Sequence, residues 1–260
     1  MPKSINHIPR KRFGQHFLTD ESVIHAIVSA IGPKPDEVLV EIGPGLGALT
    51  KPLLERIPHL HVVELDRDII ARLKKTWPPD RLTIHEGDAL KFDFGSMGNH
   101  IRVCGNLPYN ISSPLLFHLK EYASQISDMT FMLQKEVVDR MVALPSTHAY
   151  GRLSVMLQRS FHMEALFDVP PEAFDPPPKV DSAIVRMIPK KAGEFLELDE
   201  QRFAEIVTAA FSQRRKTLRN TLGKVVGENA FTQAGIDPGL RAENLSVSDF
   251  EKLALLKSVA

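Results

Sequence analysis

Residues 38–47 read Val-Leu-Val-Glu-Ile-Gly-Pro-Gly-Leu-Gly, and the architecture predicted for the chain starts here. The mostly apolar first half predicts a buried strand, and the glycines at alternate positions predict a tight turn after it. Because glycine has no Cβ, the backbone of such a turn can lie within contact distance of a ligand. The spacing G-x-G-x-G differs from the G-x-G-x-x-G of dinucleotide sites and lacks the Lys-Ser/Thr pair of a P-loop. A phosphate-bearing cofactor is therefore disfavoured, and a plain strand-to-helix turn is the alternative interpretation.

Short apolar runs alternate with helical patterns on both sides of this turn. Strands are predicted at 38–42, 60–64, 82–86, 101–104 and 129–133, and helices at 20–31, 46–57, 67–75, 114–122 and 136–144. Strands alternating with helices are typical of parallel βαβ units, in which helices cover both faces of a sheet. The sequence therefore predicts an α/β fold with a Rossmann-like sheet, and any ligand should bind at the carboxyl ends of its strands.

The remainder of the chain predicts a different architecture. Two β-like runs at 165–169 and 180–185 flank a proline-rich segment, and we expect them to pair through a stiff loop without a helix. Beyond about residue 195 the strand patterns stop, and helices broken by Gly227, Gly235 and Pro238-Gly239 predict a small all-helical domain. We place the domains at 1–190 and 191–260.

Composition sets the broad class of protein. Lys+Arg and Asp+Glu number 32 each, so a nucleic-acid site would have to come from local clusters of charge. Cys104 is the single cysteine, which rules out an intramolecular disulfide and favours a reducing, cytoplasmic location. We expect no membrane span and no secretion signal. His59 and His61 share a strand face without a third ligand nearby, so we expect no metal site.

Three acidic residues lie at the ends of successive predicted strands: Glu41, Glu64 and Asp88. Singly, each could be a helix cap or a solvated charge. A carboxylate about twenty residues after the glycine turn can accept hydrogen bonds from both ribose hydroxyls, as Glu64 would, and Asp88 could bind an exocyclic amine. Together the acids suit a nucleoside that carries positive charge and no phosphate. This description fits S-adenosylmethionine, with its sulfonium and ammonium groups.

The fourth predicted strand ends in Asn106-Leu107-Pro108-Tyr109. An adenine amine is a poor nucleophile because its lone pair is delocalised into the ring. If the Asn106 side-chain oxygen and the Leu107 carbonyl each accept one N6 hydrogen, they favour a pyramidal nitrogen whose lone pair points at a methyl donor. Pro108 would stiffen the turn, and Tyr109 would stack on the extruded base. The alternative is an Asn-capped turn beside a core tyrosine.

Two basic clusters could supply the missing nucleic-acid contacts. They comprise Arg10, Lys11 and Arg12 near the start of the chain, and Arg214, Arg215, Lys216 and Arg219 in the predicted helical domain. Most charge runs are simply solvated faces. A continuous helix would bury Arg214 in an apolar stripe at high cost, so we expect a helix break near Ser212-Gln213. The arginines would then face a groove in which RNA phosphates are the expected partners.

An ordered set of motifs resembles the ribosomal RNA adenine dimethyltransferases, and among them most closely the bacterial small-subunit branch. The motifs are RKRFGQHFL (10–18), EIGPGLGALT (41–50), VVELD (62–66), GDAL (87–90), GNLPYNISSPLLFHL (105–119), FDPPPKVDSAIV (174–185) and FSQRRKTLRNTL (211–222). The match runs from about residue 7 to 258. It implies a class I methyltransferase sheet and dimethylation at N6 of two adjacent adenosines near the 3′ end of 16S ribosomal RNA. The partner would be the small ribosomal subunit, and we expect a monomer.

The resemblance also implies roles for individual residues. The cofactor-binding set is His16, Leu18, Gly43, Gly45, Glu64, Asp88 and Asn106. The catalytic set is Asn106, Leu107, Pro108 and Tyr109, with Phe174 as a second stacking aromatic opposite Tyr109. His16 stands where the family most often has Asn, and its imidazole can still hydrogen-bond. For Phe174 the alternative is an ordinary core phenylalanine beside prolines.

Other functions remain open from the sequence. The protein could dimethylate an adenine of large-subunit RNA, or it could be a ribosome-assembly factor that mainly binds RNA. A DNA or small-molecule adenine methyltransferase is a third alternative.

Overall fold

The computed structural model of the protein describes residues 16–256, apart from the side chain of Glu228. The predicted basic segment at 10–12 lies outside this range. The chain divides into two compact units, the first formed by residues up to Val138 with Glu164–Met187, and the second by Asp139–Met163 with the chain from Ile188 onward. The second unit therefore includes 139–163, a segment that lies within the predicted first domain. Within residues 16–256, no helix has the length and hydrophobicity needed to cross a bilayer.

The strands are β1 Phe17–Leu18, β2 Leu39–Ile42, β3 Leu60–Glu64, β4 Leu82–Glu86, β5 Ile101–Asn106, β6 Ile126–Gln134, β7 Phe161–Val169, β8 Phe174–Asp175 and β9 Ser182–Pro189. The α-helices are α1 Glu21–Ile31, α2 Thr50–Leu54, α3 Arg67–Thr76, α4 Ser112–Lys120, α5 Lys135–Val142, α6 Arg152–Gln158, α7 Glu200–Ala210, α8 Leu218–Val226, α9 Glu228–Ala234 and α10 Val247–Leu255. Short 3₁₀ helices occur at Phe94–Met97, Pro171–Ala173 and Ala242–Asn244.

A seven-stranded sheet has the order β4-β3-β2-β5-β6-β9-β7. The strands from β4 to β6 pair in parallel, and β9 pairs antiparallel with β6. The predicted α/β, Rossmann-like fold is confirmed, and the last two long strands are neighbours, as the proline-rich linker indicates. Because β2 lies between β3 and β5, their carboxyl ends converge on one edge of the sheet, with β4 beside β3. A separate two-stranded pair joins β1 to β8.

Local signals in the sequence explain where the first helix starts and stops. The Asp20 side chain accepts hydrogen bonds from the backbone N–H groups of Ser22 (2.8 Å) and Val23 (3.1 Å), which satisfies donors that have no partner within the helix. Gly32 ends α1 in the left-handed conformation, with its N–H donating to the Val28 carbonyl. The apolar side of α1 belongs to the core beneath the sheet, where Ile27 and Val28 are buried.

The part of the second unit after Pro189 is helical, as predicted. Helix α7 ends at Ala210 and α8 begins at Leu218, so the predicted break near Ser212-Gln213 is confirmed. Leu218 is fully buried, whereas the side chain of Arg214 is 55% exposed in the connecting loop. The break therefore spares the chain the cost of burying an unpaired guanidinium.

Candidate active site

A cavity of about 740 Å³ lies at the carboxyl ends of β2, β3, β4 and β5 in the first unit. Its lining includes all the residues predicted to bind the cofactor and the four-residue catalytic turn: His16, Leu18, Gly43, Gly45, Glu64, Asp88, Asn106, Leu107, Pro108 and Tyr109. A volume of this size is typical of sites for small molecules, roughly 300–1,000 Å³. The strand-end placement expected from the sequence brings these residues together, except for His16 and Leu18, which come from the segment at β1.

The glycine turn forms the floor of this cavity. Gly43 and Gly45 both have left-handed backbone conformations, with φ of 66° and 53°, which residues with a Cβ adopt only at a cost. The Gly43 N–H donates to the Val63 carbonyl of β3 (3.0 Å), so the turn is attached to the neighbouring strand end. An open peptide surface at this position lets a ligand approach the backbone closely.

Glu64 ends β3 and lies against the cavity at 8% exposure. One oxygen, Oε1, accepts from the backbone N–H groups of Leu65 and Asp66, both at 2.8 Å, which orients the carboxyl group. Burial raises the pKa of Glu64, and these backbone hydrogen bonds oppose the rise. Asp88, two residues beyond β4, is oriented in a similar way by the Leu90 N–H, which donates to Oδ1 (3.0 Å). Backbone donors thus orient both acids in the lining of the cavity.

Glu41 lies within β2, one residue before the strand ends, and is 1% exposed while still lining the cavity. Its Oε2 accepts a hydrogen bond of 2.6 Å from the Thr50 hydroxyl. Burial raises its pKa to about 7, although the Thr50 hydroxyl lowers it and the charge of Glu64 raises it further. Asp66 is the third buried acid of the lining, at 2% exposure, and a set of three buried acids suits a cationic ligand.

Asn106 is the last residue of β5, and its side chain is oriented by one contact. The Nδ2 group donates to the His16 carbonyl (3.3 Å). Since a carbonyl can only accept, the amide nitrogen must face His16, and the amide oxygen is left on the opposite side of the group. The Leu107 N–H donates to the Met132 carbonyl of β6 (3.2 Å), which ties the turn to the next strand. The geometry leaves the side-chain oxygen of Asn106 as the acceptor of this group.

The Tyr109 ring is fixed at both of its ends. Its hydroxyl is 2.7 Å from the Ser182 hydroxyl at the start of β9, and its ring lies near the His16 imidazole, with centroids 5.9 Å apart and planes 26° apart. His16 Nδ1 in turn donates to the Pro176 carbonyl (2.8 Å). Burial raises the pKa of Tyr109, so the phenol stays neutral near pH 7. A neutral, oriented ring is what stacking on a base requires.

Phe174 is not brought to the cavity. It is 4% exposed, pairs with Leu18 across the β1–β8 ladder, and packs in the core beneath the sheet. The residue is covered, and its predicted role as a second stacking aromatic stays a prediction.

The second basic cluster lies in the second unit and is exposed throughout. Arg214, Arg215, Lys216 and Arg219 occupy the loop after α7 and the first turn of α8. Arg214 and Arg215 line a cavity of about 380 Å³ that also takes in Arg241 and Glu243. Arg214 donates to the His148 carbonyl and lies 3.5 Å from the Glu243 carboxylate, so its guanidinium is held in place.

Sequence reasoning missed three features of these sites. Leu65 lines the first cavity and is 50% exposed, and its position directly after a strand-end acid is the signal that could have marked it as a lining residue. Ser182 was missed because nothing in its own neighbourhood marks a partner 73 residues away. Arg241 was missed because it stands alone in the sequence.

The sequence of the chain was compared with a protein family and with individual relatives. The model of the ribosomal RNA adenine dimethylase family matches residues 6–258. Ribosomal RNA small subunit methyltransferase A of Thiobacillus denitrificans is 68% identical over 247 residues, which are 95% of this chain and 97% of the relative. The protein of the same name from Dechloromonas aromatica is 59% identical over 248 residues, again 95% of this chain and 97% of the relative.

Two solved structures extend the comparison. A dimethyladenosine transferase from Plasmodium falciparum superimposes with a TM-score of 0.77 at 28% identity, covering 92% of this chain and 96% of the other. The 23S rRNA methyltransferase ErmE superimposes with a TM-score of 0.70 at 26% identity, covering 91% and 97%.

Proposed function

This chain belongs to the ribosomal RNA adenine dimethylase family, and from that premise we propose that it dimethylates N6 of two adjacent adenosines near the 3′ end of 16S ribosomal RNA. It is a methyltransferase that uses S-adenosylmethionine and acts on ribosomal RNA. The small-subunit assignment is supported by two relatives named for that subunit, which are 68% and 59% identical. The modification contributes to small-subunit biogenesis.

The orientation of Asn106 is the observation that carries this function. Its amide nitrogen is engaged by the His16 carbonyl, so its oxygen is the atom available to accept a hydrogen from an adenine amine. With the Leu107 carbonyl as the second acceptor, the two N6 hydrogens are held and the lone pair is directed out of the ring plane. Catalysis then consists of positioning and hydrogen bonding, and no strong general base is required.

The cavity residues fit S-adenosylmethionine, which supplies an electrophilic methyl group when it is bound. Glu64 would accept hydrogen bonds from the ribose hydroxyls, and Asp88 from the adenine amine of the cofactor. Glu41 places a further acid among the lining residues, and the Gly43–Gly45 backbone allows close approach. The two glutamates support a cationic ligand without phosphates.

The reaction has two steps with different hydrogen-bonding demands. After the first transfer only one N–H remains on N6, so the Asn106 oxygen and the Leu107 carbonyl cannot both be satisfied in the second. The site must therefore tolerate a monomethyl adenosine, which can leave and rebind before the second transfer.

The basic cluster of the second unit is proposed to bind RNA phosphates. Arg214, Arg215, Lys216 and Arg219 are exposed on one loop and the following helix start, and Arg241 adds a charge beside them. Residues 10–12 are proposed to contribute from the start of the chain. Replacing Arg215 with glutamine should reduce the slope of log affinity against log salt by about one, measured by filter binding to small-subunit RNA.

The RNA-facing surface and the cofactor cavity are proposed to act in one cytoplasmic monomer. Sedimentation velocity of the purified protein tests the monomer. A dimer at micromolar concentration would contradict it.

Labelled methyl transfer to isolated ribosomal particles tests the main proposal. Small subunits that lack the modification, large subunits, naked RNA and DNA oligomers are each incubated with the protein and methyl-labelled cofactor, and the products are mapped. We expect N6,N6-dimethyladenosine at two neighbouring positions of 16S RNA in the small subunit. Label confined to the large subunit would favour the activity named for ErmE. An absence of label everywhere would favour an assembly factor, and label on DNA a different substrate class.

A further inference from the structure

Glu41 is a buried acid with no cationic partner among the described residues. At 1% exposure it lines the cavity from β2, and its hydrogen bond comes from the uncharged hydroxyl of Thr50. Within the part of the chain that the structure describes, no lysine, arginine or histidine forms an ion pair with it. A carboxylate in such a place costs free energy unless a cation or a proton compensates it.

The groups that surround Glu41 do not supply that compensation. Thr50 comes from α2, Cys104 is its register partner on β5, and Glu64 approaches from β3. Glu64 is itself acidic, and the buried Cys104 thiol has a pKa raised well above its ordinary value, so it stays neutral. The other ionisable residues that line the same cavity are not among the causes that shift the pKa of Glu41: His16, Glu21, Asp66, Arg72, Asp88 and Tyr109.

We propose that Glu41 holds a proton in the cofactor-free protein and releases it when the positively charged half of S-adenosylmethionine enters the cavity. The proton leaves Oε1, because Oε2 accepts from Thr50, and it passes to solvent as the O–H bond breaks. The carboxylate then balances the cation that has arrived. This inference rests on the cofactor assignment above and adds a linkage between cofactor binding and pH.

The proposed linkage predicts in which direction, and over which pH range, the affinity for the cofactor changes. Burial places the pKa of Glu41 at about 7, so the carboxyl is about half protonated at pH 7. Below that pH the cofactor must displace a proton, and its apparent affinity falls. Between pH 8 and pH 6 the dissociation constant should rise roughly tenfold, and proton release should rise from ~0.1 to ~0.9 per cofactor.

Calorimetry of the full chain measures this directly. S-adenosylmethionine is titrated at fixed pH in buffers of different ionisation enthalpy, and the dependence of the heat on the buffer gives the protons released. S-adenosylhomocysteine keeps the ammonium and lacks the sulfonium, whereas 5′-methylthioadenosine lacks both. Release with the first two ligands assigns the effect to the ammonium, and release with the first alone assigns it to the sulfonium. Equal release with all three would overturn the proposal.

Two variants separate Glu41 from its neighbours. Glu41→Gln keeps the shape and can still accept from Thr50, and it should bind the cofactor with proton release reduced to near zero between pH 6 and 8. Thr50→Val removes the hydroxyl that lowers the pKa of Glu41, so the midpoint of proton release should move to higher pH. A merely structural role for Thr50 would not move that midpoint.

The outcomes also separate this inference from the cofactor assignment. Undiminished proton release in Glu41→Gln, or none in the unsubstituted protein, would overturn the role of Glu41 while leaving the cofactor in place. Failure of the unsubstituted protein to bind S-adenosylmethionine at all would refute the cofactor assignment itself.

Discussion

Replacing Gly105 with alanine should displace the catalytic turn, because the added Cβ would collide with the neighbouring strand. Gly105 precedes Asn106 on β5, and a Cβ built on it would lie 2.3 Å from the Ile42 carbonyl oxygen of β2. Real Cβ contacts are not shorter than 3.0 Å, so the two strand ends would have to separate by about 0.7 Å. The added Cβ is fixed to the Gly105 backbone and the atoms that it meets are backbone atoms of Ile42, so no side-chain rotation relieves the collision.

The size of the effect follows from that displacement. Forcing a methyl group into a packed site costs about 1–3 kcal/mol of stability. Misplacing a reacting group by about 1 Å costs on the order of 10²-fold in rate. Gly105→Ala should therefore unfold at lower urea concentration and transfer methyl groups roughly 30–100-fold more slowly while it is still folded. Urea unfolding and single-turnover methyl transfer to small-subunit RNA measure the two quantities.

Gly223→Ala is the matched control. It makes the same chemical change inside α8, where an added Cβ meets no atom within 4 Å. Alanine is a better helix former than glycine, so stability should rise by about 0.5–1 kcal/mol, with methyl transfer at saturating RNA within about twofold of the original. If Gly105→Ala behaved like Gly223→Ala in both assays, the argument that this close approach positions Asn106 would be wrong.

Three further predictions follow from individual contacts. Arg102→Met removes the guanidinium that donates to the Asp128 carboxylate at 2.7 and 2.8 Å. The free energy of unfolding, measured in urea, should fall by about 3–5 kcal/mol because a charge is left without its partner. A loss under about 1 kcal/mol would contradict this prediction. The pKa of His61 is lowered from 6.5 to about 4, chiefly by burial. The free energy of unfolding should therefore fall by ~1–2 kcal/mol, with screening by solvent included, as the pH drops from 6.5 to about 4. His61→Gln should flatten this dependence, and an unchanged profile would count against it. Tyr109→Phe and Ser182→Ala should each slow methyl transfer about fivefold, because each removes the same hydrogen bond between the two hydroxyls. The double variant should therefore be no slower than either single variant, and additive losses would refute the coupling.

The fold was largely predictable because its signals are local. The predicted strands at 60–64 and 82–86 coincide with β3 and β4, since short apolar runs between turns leave little freedom in their bounds. The helix predicted at 46–57 is shorter, reduced to Thr50–Leu54. Gly47 has φ of 89°, which no α-helix continues through, and the apolar periodicity of the segment conceals this. Helix α6 was missed altogether.

The site was predictable only where it follows the topology. Parallel strands bring their carboxyl ends together, which is why Glu64, Asp88 and Asn106 could be assigned to one cavity from their spacing. Partners depend on contacts between distant segments, so the pairing of Phe174 with Leu18 and the contact of Asn106 with His16 had no local signal. The role of Phe174 and the domain bounds at 1–190 and 191–260 stay predictions.

The central claim is that the side-chain oxygen of Asn106 accepts a hydrogen bond from the adenine amine that becomes methylated. Single-turnover transfer by Asn106→Ala, with dimethyladenosine in 16S RNA quantified by nucleoside mass spectrometry, tests it most directly once calorimetry has shown that the variant still binds S-adenosylmethionine. Removal of one such acceptor should slow the reaction by about 10²–10³-fold. A cofactor-bound Asn106→Ala protein that methylates at the original rate would contradict the account.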